Sequence, residues 1–191
     1  MRARGVALFP ADTVYGLACP PDAPEAVDRL YRLKGRAAGK PAAVMFFDRE
    51  LALEALPELG ERTRGALERV LPGGLTVLVP NPAGRFPLAC GSDPSTLGLR
   101  VPVLDGALAP LAAVRGPVLQ SSANRAGGAD ARRIEDVPAE IRSGIDVVLD
   151  AGALPGTPST VVDLRSYEAR GKWSVVREGA VAATDLAVQL D

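Results

Sequence analysis

The sequence predicts an α/β domain built on a mixed sheet. Two observations carry that reading. Apolar runs of strand length alternate with Ala/Leu/Glu/Arg-rich segments patterned for helices, and no internal repeat interrupts them. At 191 residues, 47% apolar and 24% charged, the chain is globular in composition and large enough for a substantial core.

The elements follow in order. "GVALF" (5–9) reads as a buried strand stopped by Pro10. "PADTVYGLACP" (10–20) then sets Asp12, Thr13 and Tyr15 at the end of that strand, before a glycine turn, where open α/β sheets bind ligands. A turn in which Asp12 or Thr13 bonds local backbone fits these residues equally well. Asp22 and Pro24 predict the N-cap and first turn of a helix over 24–34. Its stripe is Ala26, Leu30 and Leu33, with Arg29, Arg32 and Arg36 nearer the exposed side. "AAVMFF" (42–47) is a strand, and 49–56 and 58–71 are helices. "LTVLV" (75–79) and "TLGLRV" (96–101) are strands separated by a Pro/Gly loop of about 15 residues, long enough to suggest function. A helix over 105–114, a strand at "PVLQ", the loop "SSANRAGGAD" and a helix over 134–142 come next. Strands at "DVVLD", "STVVDL" and "WSVVRE" complete the sheet, and "AGALPGTP" (151–158) reads as a second flexible loop.

Composition excludes several classes of chemistry. Net charge is −1, so no global basic field holds nucleic acid, and eight aromatic residues are few for stacking successive bases. Two cysteines make neither a disulfide framework nor a zinc site. The chain has no histidine, which removes Ser–His–Asp and Cys–His catalysis and the usual His-ligated metals. The opening "MRARGVALFP" is too short an apolar run for a signal peptide, and no segment could span a bilayer. A cytoplasmic location is expected.

Cations are concentrated in one place. The chain uses 19 Arg against 3 Lys, yet Lys34 and Lys40 stand beside Arg29, Arg32 and Arg36 with no acid between them. "KGRAAGKP" is no P-loop: Gly35 and Gly39 are one residue too close, and Pro41 replaces the magnesium-binding hydroxyl. A basic helix C-terminus complementing the macrodipole accounts for the segment, and so does an anion site. Lysine suits a single phosphate oxygen, whereas arginine's fork suits paired oxygens.

Other polar groups fall at strand ends. The period of two puts Thr96, Gly98 and Arg100 on one strand face, and an arginine among apolar neighbours needs a carboxylate, from the protein or a ligand. Ser121, Ser122 and Asn124 follow a strand without an activating base, which fits polar ligand binding or a plain Asn/Gly turn. Ser159 and Thr160 open one strand, and Arg177 ends another before Gly179. Together these groups suit a reaction run by positioning and charge neutralisation, such as phosphoryl or nucleotidyl transfer.

Taken in order, "DTVYGL", "KGR", "GKP", "LPGGLTVLV", "GLRVP", "SSAN", "PSTVVDL" and "VREGA" resemble the threonylcarbamoyl-AMP synthase (YrdC-like) family from about residue 5 to 180. The resemblance implies a twisted, open mixed sheet flanked by helices, with a concave basic cavity. It also implies a nucleotidyltransferase that forms threonylcarbamoyl-AMP and pyrophosphate from L-threonine, bicarbonate or CO2, and ATP. A partner threonylcarbamoyl transferase complex would then modify the tRNA adenosine beside the anticodon, with weak tRNA contact by this chain. By the same carry-over Lys34 and Arg36 are catalytic, and Thr13, Arg100 and Ser159 hold threonine. Lys34, Thr96, Ser122, Asn124 and Arg177 hold ATP, with Lys40 a further candidate. Mg²⁺ is expected to arrive with ATP, since no carboxylate cluster suggests a protein-held ion.

The sequence departs from the family at Ala11, where a threonine is usual, implying one hydroxyl fewer near the threonine pocket. It starts almost at the first strand and carries no C-terminal extension, so a single domain over 1–191 is expected. The alternatives are a carbamoyl-AMP-forming relative, an RNA-binding or ribosome-associated module, and a member that binds nucleotide without turnover.

Overall fold

The computed structural model describes residues 5–37 and 39–191; residue 38, inside the cationic stretch, lies outside them. Among the described residues, nine strands form one sheet. They are β1 (Ala7–Pro10), β2 (Tyr15–Cys19), β3 (Ala43–Met45), β4 (Leu75–Pro80) and β5 (Thr96–Arg100), then β6 (Val118–Ser122), β7 (Val147–Val148), β8 (Thr160–Asp163) and β9 (Ser174–Arg177). Their order is β7-β1-β2-β6-β3-β5-β4-β8-β9. The pairs β1–β7, β3–β5 and β4–β8 are parallel and the rest antiparallel, so the sheet is mixed as expected.

Strand alternation divides the apolar residues between two faces. Leu8, Leu17, Val44, Val77, Leu97, Leu99, Leu119 and Val162 enter the main core. Helices α1 (Pro24–Lys34), α3 (Glu61–Val70) and α6 (Ala183–Leu190) bring Leu30, Leu67 and Leu186 to it. The opposite face carries a smaller cluster of Phe9, Ala11, Ala18, Met45, Phe47 and Val118, with Phe9 and Phe47 edge to face at 6.3 Å. Ala11 therefore packs into an apolar cluster, which corrects the expectation that it removes a hydroxyl from a ligand pocket.

Several elements differ from the sequence reading. Gly16 makes no turn after the first strand: Ala11–Val14 bend the chain, and β2, with Gly16 inside it, returns antiparallel to β1 as a hairpin. Helix α1 is capped by Ala23, which makes no side-chain cap bond, and not by Asp22. The segment at 105–114 is 3₁₀ over Gly106–Ala113, because Pro110 lacks the N–H that an α-helix would use. Pro138 divides 134–142 into a 3₁₀ turn, Ile134–Asp136, and a short helix α4 (Ala139–Arg142). The helix expected over 49–56 is α2 (Arg49–Ala55). Helices α5 (Tyr167–Arg170) and α6 had no counterpart in that reading. No helix among the described residues is long and apolar enough to cross a membrane.

Two loop anchors shape the region where the site lies. At the end of α1, Gly35 turns left-handed (φ 60°), and its N–H and that of Arg36 bond the carbonyls of Arg32 and Tyr31. That cap throws Arg36 off the helix axis. The loop at 81–95 is organised by buried Asn81, whose amide donates to Arg85 and Pro94 carbonyls (both 3.0 Å) and accepts from the Arg85 N–H. It docks on 39–42 through Ser92 N–H to Gly39 O (3.1 Å) and Ala42 N–H to Ala89 O (2.8 Å).

Gly91 makes that docking possible, since a Cβ there would lie 2.6 Å from Gly39 O with φ at +62°. Gly84 has the same φ with nothing within 4 Å of such a Cβ. Gly84→Ala should therefore cost only the left-handed strain, about 1–2 kcal/mol, whereas Gly91→Ala should cost clearly more. Thermal unfolding of the two variants checks this: equal melting temperatures would contradict the docking account.

Candidate functional site

A hollow of about 440 Å³ opens on the sheet face opposite the main core. Its floor follows from strand alternation. Thr76 and Leu78 of β4, Thr96 and Arg100 of β5, Gln120 and Ser122 of β6, and Val161 of β8 turn their side chains to it, and Gly98 of β5 lies on the same face. Gly98 leaves the centre of the floor bare. The rim takes Arg36, Cys90, Asp93, Asp130, Arg165 and Arg177 from surrounding loops and strand ends. Four arginines face two aspartates, so the hollow is locally basic in a chain of net charge −1.

Arg100 is the most buried charge on this floor, 4% exposed. Its Nη2 donates to Asp12 Oδ1 (3.0 Å) and Thr13 Oγ1 (3.2 Å), and Nη1 donates to Gln120 Oε1 (3.2 Å). Its Nε–H is buried without an acceptor among the described residues. The carboxylate that Arg100 required is thus Asp12, while one edge of the fork stays unsatisfied. Burial raises the Asp12 pKa above the ordinary carboxylate value, and the Arg100 charge opposes that rise.

Ser159 lies beside this network. Its hydroxyl is 2.9 Å from Thr76 Oγ1, and Arg177 Nη2 donates to its carbonyl (2.6 Å) and its hydroxyl (3.3 Å). Thr13 is close in contact but faces elsewhere. With Asp12, Gly74, Val103 and Thr157 it lines a second hollow of about 710 Å³. Arg100 therefore stands between two openings, lining one and held by residues that line the other.

Lys34 does not line the hollow. It is 1% exposed, and its Nζ donates to Ser122 O, to Asn124 O (2.8 Å) and to Asn124 Oδ1 (2.9 Å). Asn124 Oδ1 also accepts from Ser122 Oγ at 2.7 Å, and its amide donates to Gly128 O and Asp130 Oδ1. The ammonium is thus the hub of the loop after β6. Burial, with Arg36 beside it and Asp130 opposing, pulls the Lys34 pKa down to about 8. Among the five cations of the stretch at 29–40, Arg36 lines the hollow and packs over the Tyr31 ring at 5.9 Å. Arg29 instead pairs with Asp146 at 2.7 Å, and Arg32 and Lys40 are exposed.

Thr96 donates to Asp93 Oδ2 (2.7 Å) and accepts from Arg165 Nη1 (3.4 Å). Arg165 itself is forked onto Asp163, with Nη2 to Oδ2 at 2.6 Å. The structure thus brings Arg36, Thr96, Arg100, Ser122, Ser159 and Arg177 to one hollow, places Thr13 on the second, and sets Lys34 and Asn124 behind the wall. The sequence reading missed Thr76, Asp93, Gln120, Asp130 and Arg165. Thr76 was detectable as the lone polar residue in "LTVLV", and Gln120 as the polar residue of "PVLQ" two positions after Val118, on the same face of β6.

The sequence matches the family model Sua5_yciO_yrdC, described as telomere recombination, over residues 1–179. A Chromohalobacter salexigens protein named threonylcarbamoyl-AMP synthase is 39% identical over 170 residues, covering 86% of this chain and 89% of that protein. The structure of P. abyssi Sua5 complexed with L-threonine aligns with TM-score 0.81 at 25% identity, over 97% of this chain and 53% of that one. The chain thus spans about half the length of that protein. E. coli YciO aligns with TM-score 0.75 at 25% identity, over 97% of this chain and 88% of its own.

Replacing Lys34 by methionine keeps the stem but strands two backbone carbonyls that the ammonium satisfies and removes one of the two donors to Asn124 Oδ1. At about 1–3 kcal/mol for each buried acceptor left unpaired, Lys34→Met should lower stability severely. The Lys40→Met change, at an exposed position, should leave it nearly unaltered. Denaturant unfolding reads both; equal midpoints would contradict the hub role of Lys34.

Proposed function

The chain belongs to the Sua5/YciO/YrdC family, and from that premise we propose that it is an L-threonylcarbamoyladenylate synthase. The reaction joins L-threonine, bicarbonate or CO2, and ATP into threonylcarbamoyl-AMP and pyrophosphate. One observation in the structure supports this most: Arg100 is buried at a basic hollow with an unpaired Nε–H. A ligand carboxylate is the partner that would complete its hydrogen bonding.

In this reading the threonine carboxylate meets the free edge of Arg100, near Ser159 and Thr13 at the junction of the two hollows. The threonine nitrogen forms a bond to the carbon of CO2 and gives up a proton. The carbamate oxygen then forms a bond to the α-phosphorus as the bond to pyrophosphate breaks. Arg36, Thr96, Ser122 and Arg177 face the ATP side of the same hollow, where fixed cations offset charge on the phosphates. Lys34 acts as a positioning residue, holding the Ser122–Asn124 loop and adding its charge from behind.

Magnesium is assigned to ATP. The carboxylates at the rim are already engaged, Asp93 by Ser95 and Thr96 and Asp130 by Asn124. No group of three or more His, Cys, Asp or Glu among the described residues is placed to hold an ion. The product would pass to a threonylcarbamoyl transferase complex acting on tRNA.

Pyrophosphate release from Mg-ATP should require threonine and bicarbonate together, and Arg36→Ala should slow it by about 10²–10³. Release with carbamoyl phosphate and without threonine would instead support the carbamoyl-AMP chemistry. The pH dependence has a definite sign. As pH rises through about 8, Lys34 loses its charge and one of the protons it donates, so ATP affinity should fall. Titration calorimetry with Mg-ATP should show that decline in the wild type as pH rises through this value; an unaltered wild-type affinity would contradict it.

A further inference from the structure

We propose that Asp12 is the positioning residue that aims Arg100 at the carboxylate of the amino-acid substrate, a role that rests on the synthase reading. Asp12 cannot rotate freely, because both of its oxygens are committed. Oδ1 accepts from Arg100 Nη2 at 3.0 Å, and Oδ2 accepts from the Val103 N–H at 3.2 Å. Both members of the pair are nearly dry, with side chains 5% and 8% exposed for Arg100 and Asp12.

The guanidinium is planar, so fixing two of its nitrogens fixes the direction of the third. Asp12 and Thr13 take Nη2, and Gln120 takes Nη1 from β6, two strands away across β3. The Nε–H is left as the edge without a protein acceptor among the described residues. Asp12 also supplies countercharge. Burial and the nearby Arg177 both work against a cation at Arg100, and Asp12 is what opposes them. Asp12 lines the second hollow and not the first, so it reaches a carboxylate in the first hollow through Arg100.

Asparagine is the discriminating substitution. Its amide has one acceptor oxygen where the site presents two donors, Arg100 Nη2 and Val103 N–H. Either orientation sets an NH2 against one of them, so the clamp loosens while volume is conserved. Glutamate keeps both acceptors and the charge.

The test is steady-state pyrophosphate release with threonine and ATP varied separately. Asp12→Asn should raise KM for threonine at least about tenfold while KM for ATP moves less than about twofold, the loss expected for one misaligned charge-assisted hydrogen bond. Asp12→Glu should recover most of that loss. An unchanged KM for threonine, or an equal rise in both constants, would overturn the proposal. If Asp12→Asn does not fold, Val103→Pro removes the N–H that holds Asp12 Oδ2 and leaves Asp12 itself intact, and the same split or its absence decides. Wild-type protein that releases no pyrophosphate with threonine overturns the synthase reading, and with it the ligand assigned to Arg100. That failure is distinguishable because it appears before any substitution is made.

Discussion

A guanidinium held away from water is the constraint around which this sheet is arranged. A buried arginine must find a carboxylate and acceptors for its remaining donors, or it destabilises the fold. Arg100 meets that demand with groups from two separate segments: Asp12 and Thr13 from the β1–β2 turn, and Gln120 from β6. Those contacts fix where the hairpin turn sits over the sheet. They also leave Arg100 with one buried donor, its Nε–H, that no described residue accepts.

The same turn organises the loop that borders both hollows. Tyr15, fully buried, places its hydroxyl 2.9 Å from Asp150 Oδ1 and from Gly152 O, and accepts from the Ala151 N–H at 3.0 Å. Thr13 O accepts from the Gly156 N–H at 2.9 Å. The segment "DTVYG" therefore does two jobs: Asp12 and Thr13 hold Arg100, and Thr13 and Tyr15 hold the loop at 150–156. At the other wall Lys34 plays the corresponding part for the loop after β6. Each wall thus depends on one buried polar side chain that reaches a distant backbone, which makes its position sensitive to single substitutions.

Much of this architecture was legible in the sequence, and the rest was hidden for definite reasons. The period of two in "TLGLRV" placed Thr96, Gly98 and Arg100 on one face, as β5 shows. Apolar periodicity and Pro24 located α1 at its observed bounds. Strand β2 was missed because "YGLAC" is short, holds a glycine, and follows turn-forming residues. Pro110 and Pro138 overrode apolar patterns that otherwise suggest longer helices. The burial of Lys34 had a signal: it lies four residues after Leu30 and three after Tyr31, on the buried stripe, but its charge argued for the surface. The Asp12–Arg100 pair had no local signal, since the partners are 88 residues apart and meet only when the sheet forms. Ala11 shows the converse error, where proximity to functional residues in sequence suggested a pocket position and the side chain faces an apolar cluster.

The central claim is that the unpaired edge of Arg100 binds the carboxylate of threonine. The most direct measurement compares the affinity of the protein for L-threonine and L-threoninamide, in the presence of Mg-ATP, by calorimetry. The amide keeps the hydroxyl, methyl and amine but carries no negative charge. The account predicts that threonine binds and that its amide binds weakly or not at all, and that Arg100→Gln, which removes the charge, abolishes the difference. Equal affinity for the two ligands would show that Arg100 does not receive the carboxylate, and the role assigned to its open edge would be wrong.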